Sequence, residues 1–394
     1  MPRMDEDRHR KNGRPRVAFI LAGLGAGGAE RVIAEVSERF ALDGADVSVI
    51  AFDRPDEPIF HRFHPRVRLI RLGLPARGGR FAAPARALNR AARLRQILRD
   101  GRFDVAISFL TKINALALLA SLGLRLPVIV SERNNPLRQP YHRLWQTAVN
   151  LLYRRARAIV IQTERARICL PHHERARATV IGNPVCAPAA TPRGAELAQC
   201  VGVGRLVQQK GFDLLIDAFA RTAPDFPRWR LVIWGEGPER PALERRIAAL
   251  GLKSQATLAG NSPSPGSWAE TATMLVLSSR FEGSPNVVAE AMASGIPVIA
   301  ADCDFGPSEL IDDGQNGLLV PPEDAAALAG AMSRMMSDAG LRKRLGQAGQ
   351  RSMRDRAGSD RIMAQWRDVV RSAISREGAA TSDIRPGLAA PTSL

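Results

Sequence analysis

Residues 278–299 read SSRFEGSPNVVAEAMASGIPVI, and this stretch decides the fold. Its Ser-Pro pair signals a helix start, because proline suits the first helical position, and the later Gly-Ile-Pro stops the helix. The backbone amides of Asn286, Val287 and Val288 are therefore predicted to be unpaired at the positive end of a helix dipole. In α/β proteins such a helix start after a strand is a place where a phosphate binds.

Two cations and two carboxylates accompany this helix start. Arg205 and Lys210 lie upstream in VGVGRLVQQKGFDLL, which has the pattern of a strand, a loop and a helix start. Glu282 precedes the helix of the first stretch, and Glu290 lies inside it, eight positions later. Arginine and lysine donate hydrogen bonds to a diphosphate, and carboxylates accept them from ribose hydroxyls. Each residue alone would favour a salt-bridged surface with an ordinary cap, whereas all four at strand ends favour a nucleotide-sugar site.

The composition is that of a soluble globular protein large enough for two domains. The chain has 394 residues, of which 45% are hydrophobic and 24% charged. Its four cysteines show no C-x-x-C spacing, which indicates reduced thiols in a cytoplasmic protein. No apolar run reaches the ~18 residues of a membrane span. The basic start before VAFILAGLGAGGA is similar to a signal peptide, but a short buried strand leading into an amphipathic helix accounts for it better.

Short apolar runs alternate with helical patterns along the chain. This alternation predicts parallel sheets and an α/β fold, with six strands before the Pro/Ala-rich segment at about 183–193 and five after it. The ends of the chain are polar and charged, or rich in Pro, Ser, Gly and Ala, and are predicted to be disordered.

Seven motifs along the chain resemble the retaining glycosyltransferases of family 4, whose E-x7-E motif and upstream Arg/Lys pair bind the donor nucleotide. The resemblance covers roughly residues 16–370 and is strongest to bacterial exopolysaccharide and N-acetylgalactosamine-type transferases. The motifs are GGAERVI (27–33), SERNNP (131–136), IGNPV (181–185), GRLVQQKGFDLLI (204–216), GEGPER (235–240), FEGSPNVVAEAM (281–292) and FGPSELIDDGQNGLLVP (305–321).

The resemblance implies a GT-B fold, in which two Rossmann-like domains face each other across a cleft. A first, acceptor domain is expected over 15–183 and a second, donor domain over 198–356. The remaining segments are a basic disordered start (1–14), a linker (184–197), a helix crossing back to the first domain (357–375) and a disordered tail (376–394).

The same resemblance implies an activity and a set of roles. The enzyme would move a hexose or N-acetylhexosamine from a nucleotide sugar, in the order UDP-N-acetylgalactosamine, UDP-galactose and UDP-N-acetylglucosamine, to an oligosaccharide or lipid-linked glycan, with retention. Arg205 and Lys210 would hold the diphosphate, Glu290 the ribose, and Glu282 would lie beside the donor sugar; Gly235 would border the nucleotide. Since two cations and a helix start neutralise the diphosphate, no metal ion or other cofactor is expected.

Further candidates lie in the first half. Gly27 and Gly28 form a phosphate or acceptor loop, and Glu132, Arg133 and Asn134 follow a predicted strand at the cleft. Many relatives have a histidine near that strand, and its absence puts the transfer of the histidine's role to Glu132 in doubt. Glu132 is predicted either to touch or orient a sugar or to be a helix-start carboxylate, and Arg133 and Asn134 to face the acceptor.

Two other classes of function remain as alternatives. Gly23, Gly25 and Gly28 satisfy G-x-G-x-x-G between a strand and a helix, and Asp53 ends the second strand, as in NAD-dependent oxidoreductases. Against this class, the second half shows no oxidoreductase chemistry and its charged set would be unused. The basic first half could bind nucleic acid, but only 5% of residues are aromatic and no reader motif is present.

All of the net charge of +17 lies in the first half, because residues 1–198 carry 34 Lys+Arg and 17 Asp+Glu. A helix predicted at 82–99 places Arg86, Arg90 and Arg93 beside an apolar stripe formed by Leu88, Ala91, Leu94, Ile97 and Leu98. Basic side chains beside an apolar stripe favour an anionic bilayer, although a solvated arginine face is the alternative. The sequence therefore predicts a cytoplasmic enzyme held peripherally at the inner face of the membrane.

Overall fold

The computed structural model describes residues 14–25, 27–74, 83–133, 143–185, 197–356 and 358–375. Within these ranges, two parallel sheets with flanking helices form two α/β domains, as the sequence predicts. The predicted disordered start and tail lie outside the described residues, except for Arg14, and so does most of the predicted linker.

The first sheet has seven parallel strands and the second has six. The strands of the first sheet are β1 (Arg16–Leu21), β2 (Asp46–Ala51), β3 (Val67–Arg71), β4 (Val105–Phe109), β5 (Val128–Ser131), β6 (Ala158–Ile161) and β7 (Ala178–Val180). Those of the second are β8 (Gln199–Val203), β9 (Arg230–Trp234), β10 (Ala256–Gly260), β11 (Met274–Leu277), β12 (Val298–Ala301) and β13 (Leu318–Val320).

Helices connect the strands. In the first domain they are α1 (Gly28–Leu42), α2 (Ala83–Asp100), α3 (Thr111–Ala120), α4 (Arg143–Tyr153) and α5 (His172–Arg175). In the second they are α6 (Phe212–Thr222), α7 (Arg240–Ala249), α8 (Asn286–Ala293), α9 (Pro307–Leu310) and α10 (Ala325–Ser337), followed by α11 (Ala339–Arg356) and α12 (Ser359–Ile374). Short 3-10 helices lie at Arg165–Cys169, Gln208–Lys210 and Ser267–Glu270.

In both sheets, the order in which successive strands are added reverses at one point. The strand orders are β3-β2-β1-β4-β5-β6-β7 and β10-β9-β8-β11-β12-β13, so the order reverses between β1 and β4 and between β8 and β11. The strands there are fully buried apolar runs, such as VAISF in β4 and MLVL in β11, because helices cover both faces. In such sheets, ligands bind in the crevice at the carboxyl ends of these strands.

The last two helices belong to different domains. Leu341 and Leu345 of α11 pack in the second-domain core, whereas Met363 and Trp366 of α12 pack in the first. Trp366 is fully buried and stacks on Phe109 at 6.0 Å between ring centroids. The chain therefore crosses back from the second domain to the first between 356 and 359.

The structure corrects the proposed membrane-facing surface of α2. Leu94 and Leu98 are buried in the first-domain core, so most of the predicted apolar stripe faces the protein, while Leu88 is 64% exposed on the outer face. Arg90 also turns inward and places its guanidinium 4.2 Å from the centre of the Phe52 ring. Its membrane-facing assignment is therefore wrong, because the stem and head of this arginine cover an aromatic ring.

Candidate active site between the domains

The charged set of the second domain lies at its switch point. Arg205 follows β8 and Glu282 follows β11, and these two strands pair directly in the sheet. Parallel strands end at the same edge, so two loops that lie far apart in the chain come together there. Gly235 follows the neighbouring strand β9 and donates its amide to the Gly260 carbonyl at 2.7 Å, so that amide already has a partner within the domain.

Lys210 and Glu282 form one buried pair. The Lys210 Nζ lies 2.6 Å from Glu282 Oε1, and the Ser279 hydroxyl donates to the same oxygen at 2.6 Å. The lysine and glutamate side chains are only 18% and 7% exposed. The two groups, which the sequence assigns to the diphosphate and to the donor sugar, are therefore one electrostatic unit.

The start of α8 supplies fewer amides than the sequence suggests. The Val288 amide donates to the Pro285 carbonyl at 3.0 Å, so its predicted role as an unpaired donor is wrong. The amides of Asn286 and Val287 make none of the backbone hydrogen bonds of the described residues, and Pro285 makes no side-chain cap. Two amides remain to bind an anion at the positive end of the helix.

Glu290 is buried and faces the other domain. Its carboxylate pairs with Arg31 of α1, and the Trp268 indole also hydrogen-bonds to it. Burial raises the pKa of Glu290, and Arg31 acts against that rise. Arg31 was not among the predicted site residues, because a pairing between domains leaves no characteristic spacing in the chain. The available signal was its place in GGAERVI, three positions after the glycine pair.

The glycine pair at the start of α1 approaches α8 closely. The Asn286 side chain donates to the Gly28 carbonyl at 3.3 Å, and a Cβ added to Gly28 would lie 2.8 Å from Asn286 Nδ2. Gly27 precedes the helix without a side-chain cap. Burial raises the pKa of Glu30, which lies in the first turn of α1, and the charge of nearby Arg205 acts against that rise. The loop predicted to bind phosphate thus contacts the second-domain site directly.

Glu132 is held by a polar network under the cleft wall. Its Oε2 accepts a hydrogen bond from Thr111 at 2.8 Å, and its Oε1 accepts from Asn114 at 3.2 Å and from the Tyr153 hydroxyl. Burial raises the pKa of this carboxyl, which is 6% exposed. The residue borders a small cavity that Gly283 of the second domain also lines, so it lies between the domains with both oxygens engaged.

Arg133 is also buried and contacts the end of the first domain, just before the linker. Its Nη1 donates to Asn183 Oδ1 at 2.6 Å, and its guanidinium lies 5.1 Å from the Phe109 ring centre. Burial lowers the pKa of Arg133 to about 9. Its Nη2 is buried without a partner among the described groups, which leaves the two N–H groups of that nitrogen for a ligand or water. Asn134 lies outside the described residues.

Asp53 does not fulfil the role that the oxidoreductase alternative requires. Its carboxylate pairs with Arg71 at 2.8 Å and accepts the Leu24 amide at 2.9 Å, so it is buried and fully used within the first domain. Gly23 packs against it, since an added Cβ would lie 3.2 Å from the Asp53 Cβ. The Asp53 carboxylate therefore binds groups within the first domain, beside the glycine turn of Gly23, Gly25 and Gly28, and not the ribose of a dinucleotide.

Within the described residues, no three His, Cys, Asp or Glu side chains come close enough to share a metal ion. None of the described helices has the length and apolarity that crossing a bilayer requires.

Two family profiles together span most of the chain. The profile described as "Glycosyl transferases group 1" matches residues 192–352, and the one described as "Glycosyl transferase 4-like domain" matches residues 27–183. These ranges correspond to the second and first α/β domains.

Two curated relatives illustrate the similarity. The "exopolysaccharide phosphotransferase" of Streptomyces coelicolor is 39% identical over 173 residues, which are 44% of this chain and 18% of that protein. The "GalNAc-alpha-(1->4)-GalNAc-alpha-(1->3)-diNAcBac-PP-undecaprenol alpha-1,4-N-acetyl-D-galactosaminyltransferase" of Campylobacter jejuni is 26% identical over 338 residues, which are 84% of this chain and 91% of that protein. The chain thus spans less than a fifth of the first relative and nearly all of the second.

Solved structures share the two-domain architecture. The sucrose-phosphate synthase of Thermosynechococcus elongatus superposes with a TM-score of 0.80 at 20% identity, covering 91% of this chain and 98% of that one. Anabaena HepE, solved in complex with UDP, superposes with a TM-score of 0.69 at 18% identity, covering 91% of this chain and all of that one. At these identities the likeness shows the fold, which is that of GT-B glycosyltransferases.

Proposed function

We propose that this chain, which belongs to the group 1 glycosyl transferases and is a glycosyltransferase of the GT-B fold, moves a hexose or N-acetylhexosamine from a UDP-sugar to a growing surface glycan with retention of configuration. One observation carries the proposal: Arg205, the Lys210–Glu282 pair and the start of α8 follow the carboxyl ends of the paired strands β8 and β11, at the switch point of the second sheet. The UDP-bound relative of the same fold and the names of the polysaccharide enzymes support the donor and acceptor classes.

The diphosphate would lie against the positive groups of the second domain. Arg205, Lys210 and the amides of Asn286 and Val287 would bind its oxygens and stabilise the charge that develops as the glycosidic bond breaks. Fixed donors of this kind act where charge appears in the transition state, so their loss lowers the rate more than it weakens ground-state binding.

The two carboxylates would bind different parts of the donor. Glu290 would accept hydrogen bonds from the ribose hydroxyls, and Glu282, held by Lys210 and Ser279, would lie beside the donor sugar, orienting it or stabilising its oxocarbenium-like state. Retention would follow from attack on the leaving-group face. Glu132 and Arg133, on the opposite wall, would border the acceptor, and Glu132 is better placed to orient it than to move a proton because both of its oxygens already accept hydrogen bonds.

A panel of sugar nucleotides in excess EDTA tests the donor and the metal independence together. We expect slow hydrolysis or transfer with UDP-N-acetylgalactosamine, UDP-galactose or UDP-N-acetylglucosamine, in that order of preference, and no change when the chelator is added. The physical reason is that two cations and a helix start already neutralise the diphosphate. Transfer that stops in EDTA and returns with Mg2+ or Mn2+ would contradict metal independence. Thermal protection by NAD but not by UDP would contradict the proposed function.

We also propose that the first domain meets an anionic membrane at the inner face, where a lipid-linked acceptor would lie. The outer face of α2 carries exposed Leu88, Arg93 and Arg99, with Arg86 half-buried beside them. Each basic side chain near an anionic surface contributes about 1 kcal/mol, and several act together. The undecaprenol-linked substrate in the name of the Campylobacter relative supports an acceptor of this kind.

Reversing the charge of Arg86 and Arg93 to glutamate should release the protein from anionic vesicles at low salt while leaving UDP affinity unchanged. Co-sedimentation and calorimetry measure the two properties. Arg228→Glu with Arg245→Glu, on exposed positions of the second domain, makes the same change in net charge and serves as the control. Equal release by both double variants would mean that total charge, rather than α2, attracts the protein to the membrane.

A further inference from the structure

Glu290 meets a cation from the opposite domain in an almost fully enclosed pair. The side chains of Arg31 and Glu290 are 21% and 10% exposed, and they belong to α1 and α8. The surrounding contact is close, because Gly28 at the start of α1 touches Asn286 at the start of α8. Arg31 is therefore part of the junction between the domains at the donor site.

We propose that Arg31 is a positioning residue of the donor site, which holds the Glu290 carboxylate in place for the ribose only when the two domains are together. The proposal rests on the proposed function, in which Glu290 accepts from the ribose. Arg31 acts through Glu290 and couples recognition of the nucleoside to the arrangement of the domains.

The carboxylate has room for both sets of partners. An ionised carboxylate offers about four acceptor positions. Arg31 and the Trp268 indole occupy two of them from opposite domains, which fixes the plane of the carboxylate. The remaining positions suffice for the two ribose hydroxyls, so Arg31 need not leave when the donor binds.

Charge supports the same role. Glu290 faces Arg31 and Glu35 of α1 and Trp268 of its own domain; burial and Glu35 raise its pKa, and Arg31 and Trp268 lower it. Without Arg31 the pKa would rise further, because a buried carboxylate loses its only opposite charge among these neighbours. The protonated acid offers fewer acceptor positions to the ribose, so donor binding would then depend on pH and recover as pH increases.

Arg31→Met tests the proposal by calorimetric titration with UDP and with 2′-deoxy-UDP at several pH values. Because the pKa of Glu290 should rise further without Arg31, we expect the UDP affinity of the variant to fall most at the lowest pH tested and to approach the wild-type value as pH increases. The preference for UDP over 2′-deoxy-UDP should shrink in parallel. Arg31→Lys should retain most of the UDP affinity and most of the preference for UDP over 2′-deoxy-UDP. Arg39→Met, on the same helix but paired with exposed Asp360, should change neither the affinity nor the preference.

Three results would overturn the proposal. An equal loss of UDP affinity at all pH values would mean that Arg31 binds the donor directly, and wild-type affinity would mean that the pair has no role. An unchanged preference for UDP over 2′-deoxy-UDP would mean that Arg31 does not act through Glu290.

If Arg31→Met does not fold, Glu35→Gln gives the opposite test. Removing the like charge should extend UDP binding to lower pH, and no extension would count against the proposal. Failure of the wild-type protein to bind UDP would instead overturn the proposed function.

Discussion

Lys210→Ala is expected to lower kcat/KM for the donor by about 10²–10³-fold, the cost of removing one group that stabilises developing charge in a transition state. The loss should appear mainly in kcat, because the charge on the diphosphate grows as the glycosidic bond breaks. Lys253→Ala, which removes an exposed lysine from the same domain, is the matched control. Wild-type kcat/KM in purified Lys210→Ala would show that the diphosphate does not lie at this position.

The pairing of Lys210 with Glu282 adds a second effect that can be separated from the first. Removing the lysine leaves Glu282, 5% exposed, without its cation, and an uncompensated buried charge destabilises the fold. Adding Glu282→Gln to Lys210→Ala should therefore restore the melting temperature without restoring the rate. Recovery of both would mean that the lysine serves the structure only.

Much of the architecture follows from local pattern in the sequence. The strands that carry the site are buried runs of five residues in β8 and four in β11, so their ends and the positions of Arg205 and Glu282 were predictable. The missed strands β7 and β13 have three residues each, too few for any periodicity to show. The sequence placed Leu88, Leu94 and Leu98 in one apolar stripe beside a membrane, whereas the structure buries Leu94 and Leu98 in the core and leaves Leu88 on the outer face.

The sequence grouped several residues of the candidate site but did not reveal how they connect. Spacing brought Lys210, Glu282 and Glu290 to one edge of a sheet, but it could not show that the first two pair with each other, or that Arg31 meets the third. Those contacts depend on how loops and domains pack, which no periodicity within one segment records. Asp53 shows the same limit: its position matches a ribose-binding acid, and only the packing of Arg71 and Leu24 reveals its internal role.

Trp366→Ala should destabilise the first domain by about 3–5 kcal/mol, the usual cost of truncating a fully buried aromatic side chain. Trp366 lies on α12, which follows the second domain in the chain, and its ring packs in the core of the first domain, where it stacks on Phe109. For a domain of this size the change corresponds to a fall of roughly 10 °C in the melting temperature measured by calorimetry. Because the two domains have separate cores, the transition of the second domain should move less.

Two variants on the same helix sharpen this expectation. Ile374→Ala, at a position that is 38% exposed, should change the melting temperature little. Trp366→Phe should lower the free energy of unfolding less than Trp366→Ala, since the indole nitrogen is buried without a partner among the described groups and its removal breaks no hydrogen bond.

Trp366 also lies beneath the Arg133 guanidinium, 5.4 Å from it, so the alanine variant should loosen the acceptor wall and lower the transfer rate even where the domain stays folded. A melting temperature lowered no more than by Ile374→Ala would mean that α12 covers the first domain without stabilising it.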